Sequence, residues 1–378
     1  MNCVFLNSID AISAEHWDGV VNSDYPFLRH AFLAAMEHSE SACTESGWQP
    51  QHLVVMEAER PVAVMPLYLK SHSYGEYIFD WSWASAYQRY GLDYYPKLVS
   101  AIPFTPATGP RLCANSAIDR DQLDSLVAAA LRQRAEQLQA SSVHILAAEQ
   151  SEAERWSQQS ITRRTSSQFH WYNDNYSDFD DFLSSFASRK RKNLKKERRR
   201  IAEQGITLER ISGDQLNAEL WDVFFRFYQL TYAKRSGHGG YLTRAFFDQL
   251  SATMGEQMML VMASHNEQYV AGALYFYSAS TLYGRYWGCT EEFEMLHFEA
   301  CYYQGIEFCI ERGLSKFDAG AQGEHKIQRG FTPTAIWSNH WIKDQQFAAA
   351  IDDFIVREAE GNSAYIDDAK TYLPFKKG

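Results

Sequence analysis

A chain of 378 residues is too long for one ordinary compact domain and, at roughly 150 residues per domain, fits two. Its apolar share of 46%, with 23 Phe, 22 Tyr and 10 Trp, supplies a real core and excludes a mostly disordered chain. The net charge of −11 excludes a general nucleic-acid or DNA binder, although the charge is uneven: 10 Lys/Arg against 19 Asp/Glu in residues 1–160, and 26 against 28 in residues 161–378.

The first part, residues 1–165, opens with a strand at Cys3 to Leu6 and a helical stretch at Phe27 to His38. Strands at Gln51 to Ala58 and Pro61 to Lys70 flank Glu59-Arg60 and read as an antiparallel hairpin. Between Tyr68 and Tyr95, ten of 28 residues are aromatic, without helical or strand periodicity. The stretch PFTPATGP (103–110) is a loop, and a helix from Asp121 to Gln139, with Leu123, Val127 and Leu131 on one face, leads into a strand at Val143 to Ala147.

The second part, residues 166–378, starts with a helix capped by Ser177 whose continuation carries a basic run to Ile201. A helix from Asp214 to Lys234 ends at a glycine-rich stretch, and strands follow at Met258 to Ser264, Tyr269 to Tyr277 and Thr281 to Gly288. A helix from Leu296 to Arg312 stops at Gly313, before a strand at Lys316 to Ala319. The order is that of an α/β protein with mixed sheets, and hairpin, helix and strand recur in 51–147 and 258–319 as two related units. The six cysteines show no zinc spacing and the N-terminus no signal peptide; Gln268 to Gly284 is too short and polar to span a bilayer, so a soluble, cytoplasmic protein without a metal is expected.

Four groups of residues point to chemistry. Arg189 to Arg200 holds nine Lys/Arg and one Glu, a density that a polyanion would relieve; Lys192, Lys195 and Arg199 are candidates to hold donor phosphates, and the bland reading is a solvated helix. The stretch Gly320 to Phe331 follows a strand and gathers Glu324 and His325 as possible bases with Lys326 and Arg329 as anion contacts; a polar surface loop is the alternative. His297 and Glu299 stand at a helix start, suited to a substrate anion or to capping. Tyr74, Glu76 and Trp81 mix rings with charge, as a pocket for a sugar or an amine does, or as a core cluster does.

The stretches LYGRYWG (282–288), GLSKFDAG (313–320) and KIQRGF (326–331) resemble the acyltransferase domain of Fem-type peptidoglycan aminoacyltransferases. More closely, SHSYGEYIFDWSWASAYQRYGLDYYPKL (71–98), PFTPATGPR (103–111), SRKRKNLKKERR (188–199) and GAQGEHKIQRGF (320–331) look like a bacterial FemAB-like family of predicted N-acyltransferases in the GNAT superfamily. The resemblance implies two GNAT-like α/β units around a shared cleft, with the aromatic segment 74–95 and the loop 320–331 on its two sides. It implies acyl or aminoacyl transfer to a primary amine, linked to cell-wall precursors, with acyl-CoA or aminoacyl-tRNA as co-substrate and no resident cofactor. No Q/R-x-x-G-x-G/A pyrophosphate loop precedes a helix, which keeps donors other than acetyl-CoA open. The rival expectation is a non-catalytic protein that binds a glycan or cell-wall fragment.

Overall fold

The structure, a computed structural model, describes residues 1–321 and 323–376. The chain forms two compact units, residues 1–167 with 335–365, and residues 168–334 with 366–378. The sequence suggests one crossing, near 165; the structure has three, because residues 335–365 return to the first unit.

In the first unit a four-stranded antiparallel sheet is made by Asn2–Leu6, His52–Glu57, Arg60–Met65 and Cys113–Ala114. The hairpin turns at Ala58 and Glu59, both at positive φ. Its second strand stops at Met65, earlier than the sequence suggests, because Pro66 has no N–H to give to a ladder. Tyr68–Lys70 instead joins a second sheet, ordered Trp48–Pro50, Tyr68–Lys70, Lys97–Ser100, Ser142–Ala148 and then residues 337–342. Lys97–Ser100 and Ser142–Ala148 run parallel, and the helix Arg120–Gln137 makes the crossover. Asp119 caps that helix by accepting from Gln122 N at 3.1 Å. Its Leu123, Val127 and Leu131 are buried against Leu53, Val55, Val143 and Ile145; each such side chain contributes about 1.5–3 kcal/mol.

The aromatic segment holds a helix, Trp81–Arg89, that the sequence reading did not show. Only Trp83 and Tyr87 face inward, against Phe347, Ile351 and Ile355 of the helix Gln345–Lys370. Exposed Trp81 at the start of this short helix and exposed Tyr90 at its C-cap erase the apolar periodicity.

The second unit has the strand order Ile206–Ser212, Met258–His265, Gln268–Tyr277, Thr281–Cys289, Lys316–Asp318 and residues 170–172. Thr281–Cys289 and Lys316–Asp318 are parallel, again with a helical crossover, so the recurrence suggested by sequence is one of topology. That crossover is not a plain helix. Leu296–Phe298 and Gln304–Arg312 are α-helical, but Glu299–Tyr303 is a π-turn. The helix Ala218–Ser236 packs so closely on the sheet that a Cβ on Gly288 would sit 2.1 Å from Phe227 O, a position open only to glycine.

The acidic start and the basic run form two helices, Phe179–Ser184 and Ser188–Glu203, and the cap of the first is Asp178, whose Oδ1 accepts from Asp181 N at 2.8 Å, rather than Ser177. Among the described residues no helix is long and apolar enough to cross a membrane.

Candidate functional site

The second unit gathers its chemistry at the carboxyl end of its parallel strand pair. Past Lys316–Asp318 the chain turns at Gly320 (φ 78°) and enters a 3-10 helix, Glu324–Arg329. Gln322 lies outside the described residues. The π-turn packs against this segment, and such turns recur at functional sites because the extra residue re-aims the side chains. Here Tyr302 OH and His325 Nε2 are 2.8 Å apart, while adjacent Tyr303 donates to Glu197.

His325 is surrounded by cations and rings. Burial, then Lys326, Arg329 and Arg235, pull its pKa down to about 4. His297, whose ring centroid is 6.0 Å from that of His325, is pulled down to about 3 by burial and then by His325 and Arg235. Both rings are neutral at pH 7, so each has a lone pair able to take a proton. Tyr302 is pushed up by burial and stays a phenol.

The other predicted groups are engaged within the unit. Lys326 Nζ is buried and donates to Ala319 O at 3.0 Å and Gly320 O at 2.9 Å; burial brings its pKa down to about 8, against the pull of Asp318. It braces the loop. Arg329 lies 3.4 Å over the Phe298 ring, donates to His325 O at 2.7 Å and pairs with Glu197 at 2.9 Å. These contacts tie both cations into the loop. Glu299 is likewise buried, accepting two hydrogen bonds from Arg198 and one from Gln304, so its oxygens are satisfied by the protein. Glu324 is exposed at the rim.

One cation the sequence did not single out is Arg235, in the last turn before the glycine-rich stretch. It is exposed, makes no ion pair among the described residues, and its field reaches His297, Tyr302 and His325.

The basic helix divides by partner. Lys195 pairs with Asp180 at 2.8 Å, Arg199 with Glu203 at 3.4 Å, Arg200 with Glu294 at 3.0 Å, and Arg198 with Glu299 at 2.8 Å; Lys190 donates to Gln328. Two of the three predicted phosphate contacts, Lys195 and Arg199, therefore have acidic neighbours. Arg189, Arg191, Lys192 and Lys196 have none among the described residues, and 189, 192 and 196 follow one helical face.

In the first unit, Glu76 is not open to solvent. Fully buried Lys97 bonds Glu76 at 2.8 Å, Ser73 at 2.8 Å and Asp80, and Asp80 also accepts from Tyr94 OH at 2.6 Å. Burial pushes Glu76 up to about 7; Asp80 would also be raised by burial, but Lys97 and His144 hold it well below the usual carboxylate range. Tyr74 and Trp81 are exposed beside this cluster. Among the described residues no group of three or more His, Cys, Asp or Glu could hold a metal.

Solved structures with TM-scores of 0.50 and above share the fold. FemX matches 93% of this chain and 100% of its own at 14% identity and a TM-score of 0.55. L-PGS from Bacillus licheniformis matches 89% of this chain and 97% of its own at 11% identity and a TM-score of 0.50. A tandem GNAT protein from the clavulanic acid biosynthesis pathway matches 90% and 98% at 11% identity, with a TM-score of 0.47. No curated protein matches. The FemAB-like family, described as peptidoglycan biosynthesis/recognition, matches residues 8–377, and the chain belongs to that family.

Proposed function

We propose that the chain is an N-acyltransferase whose proton transfers run through Tyr302 and His325. The observation that carries this reading is their 2.8 Å hydrogen bond beside a loop that follows a parallel strand. The acceptor is a primary amine and the donor an activated acyl group, the thioester of an acyl-CoA or the ester of an aminoacyl-tRNA. The amine nitrogen bonds to the carbonyl carbon as the carbonyl electron pair moves to oxygen. As Tyr302 takes the amine proton, it passes its own to His325 Nε2. Collapse of the intermediate restores the carbonyl and breaks the bond to the leaving sulfur or oxygen, which takes up the proton. Lys326 and Arg329 hold the loop and imidazole in place, and Arg235 draws the anionic donor. Arg189, Lys192 and Lys196 contact its phosphates further out.

Family membership supports a cell-wall precursor as the bearer of the amine, with the reaction in the cytoplasm. The test is transfer from labelled acyl-CoAs and charged tRNAs to a panel of amines. Transfer that falls at least about 100-fold in His325→Gln is expected. No transfer from any donor, or transfer indifferent to His325→Gln, defeats the reading.

A further inference from the structure

Asp318, the last residue of the strand Lys316–Asp318, takes no part in the proton transfers above, yet it is a wholly buried acid at the root of the loop that carries His325. Its Oδ1 accepts from Gly320 N at 2.9 Å, a bond that turns the chain out of the sheet. Its Oδ2 is buried and accepts no hydrogen bond. The nearest nitrogen, His170 Nε2 on the neighbouring strand, stands 3.6 Å away and lies 3.2 Å from Gln168 Oε1. An amide would serve Gly320 equally well. What the carboxylate adds is charge, and a buried charge is costly unless a group of opposite sign stands near it.

Lys326 is that group. It is 2% exposed, its Nζ donates to Ala319 O and Gly320 O, and it makes no ion pair among the described residues. Asp318 and Lys326 thus hold one turn from two sides: the acid takes the N–H of Gly320, and the ammonium takes the carbonyls of Ala319 and Gly320. His325 immediately precedes Lys326, so the grip on that turn sets where the imidazole meets Tyr302.

The groups around Lys326 leave Asp318 as its counter-charge. On the strands lie Asp318, Arg285 and His170, in the helical crossover Cys301 and His297, and on its own 3-10 helix His325. Burial first holds the three imidazoles below their ordinary value and pushes the Cys301 thiol up, so all four are neutral at pH 7. Arg285 is a second cation, Arg329 is matched by Glu197, and Glu324 is exposed at the rim. Burial would raise Asp318 too, but His170, Arg285 and the Gly320 N–H hold it below its ordinary value, so it is ionised.

We propose that Asp318 is a positioning residue for the transfer: it is the counter-charge that keeps Lys326 an ammonium, and through the turn at 319–320 it seats His325 against Tyr302. The kinetic part rests on the acyl-transfer reading; the charge part does not. The test labels the full chain with 13C at lysine Cε and follows it by NMR, the Lys326 signal being assigned by its loss in Lys326→Arg. Lys326 should titrate at about 8 in the native chain. In Asp318→Asn, which keeps an acceptor for Gly320 N but not the charge, it should titrate at about 7 or below. Native kcat should fall as pH rises through the Lys326 value, and that of Asp318→Asn should be at least about tenfold lower at about pH 8. It should recover as pH falls through the lowered Lys326 value, which a loss of packing alone would not do. KM should change less than about threefold, because the buried Asp318 reaches no substrate. Lys326→Gln, which keeps a donor without the charge, decides the matter if the Asn variant does not fold: by reciprocity the 13C-labelled Asp318 carboxyl should titrate higher than in the native chain. The inference is overturned by an unmoved Lys326 in Asp318→Asn, by an unmoved Asp318 in Lys326→Gln, or by a kcat loss that acid does not restore. A chain that transfers no acyl group defeats the acyl-transfer reading and leaves the two NMR titrations to decide the counter-charge.

Discussion

Lys97→Met removes the cation that pairs with both buried carboxylates, Glu76 and Asp80. The side chains are 0% exposed for Lys97, 1% for Glu76 and 3% for Asp80, so water cannot replace the lost ammonium. Breaking a buried pair on one side costs about 3–5 kcal/mol, and in a domain of this size each kcal/mol lowers Tm by about 2–4 °C. A fall of the order of 10 °C is expected at pH 8. The pH dependence gives the sharper test. In the native protein Asp80 lies below its unfolded value of 3.8, so its contribution is present above that value and is lost on acidification. Without Lys97, burial and mutual repulsion place both carboxyls above their unfolded values, so their contribution is present at low pH and lost as pH rises. Glu76 already follows that course up to about 7 in the native protein, which leaves Asp80 to reverse. The difference between variant and native protein should therefore narrow toward pH 4 and widen toward pH 8, read from urea and thermal unfolding. A difference independent of pH, or below about 1 kcal/mol at pH 8, refutes this account of the cluster.

Tyr302→Phe should lower kcat by about 10- to 100-fold with KM and Tm nearly unchanged, since it removes one hydroxyl and leaves the ring packed on Phe331. Because His325 takes a proton only at about 4, kcat/KM should hold through neutral pH and fall as pH drops through that value, and His325→Gln should abolish this limb. Replacing Arg189, Lys192 and Lys196 together with Gln should weaken donor binding and lower its salt dependence while leaving folding within about 0.5 kcal/mol; unchanged donor affinity would make the helix a solvated face.

What the sequence could say follows from where each signal resides. The helix Arg120–Gln137 shows in its periodicity because its polar face is uninterrupted, and the helix Trp81–Arg89 does not because rings occupy both faces. Composition picked out the 320–331 loop, and His325 does lie there beside Tyr302, but the place of Arg329 depends on a partner 132 residues away. Glu197, the lone acid of the basic run, is the residue that neutralises Arg329. Lys195 and Arg199 are indistinguishable from Lys192 by sequence, and only the positions of Asp180 and Glu203 separate them. Lys97 and His144 gave no signal, because a buried titratable group on a strand reads as an interruption of it rather than as part of a network.

The cations around His325 bear on when it can act. Burial first, and then these cations, hold the imidazole neutral and make it a weak base, since a proton there is cut off from water and must join Lys326, Arg329 and Arg235. Arg329 is matched by Glu197 and Lys326 is braced by carbonyls, whereas Arg235 makes no ion pair among the described residues. An anionic donor seated beside Arg235 would cancel the smallest of these causes and raise His325 somewhat above about 4. By linkage, the protonated imidazole would hold the donor more tightly by the same factor. On the proposed function, the imidazole is therefore expected to be a stronger base with donor in place than in the empty protein. The acid limb of kcat at saturating donor should then lie at a higher pH than that of kcat/KM, and coincident limbs refute the argument.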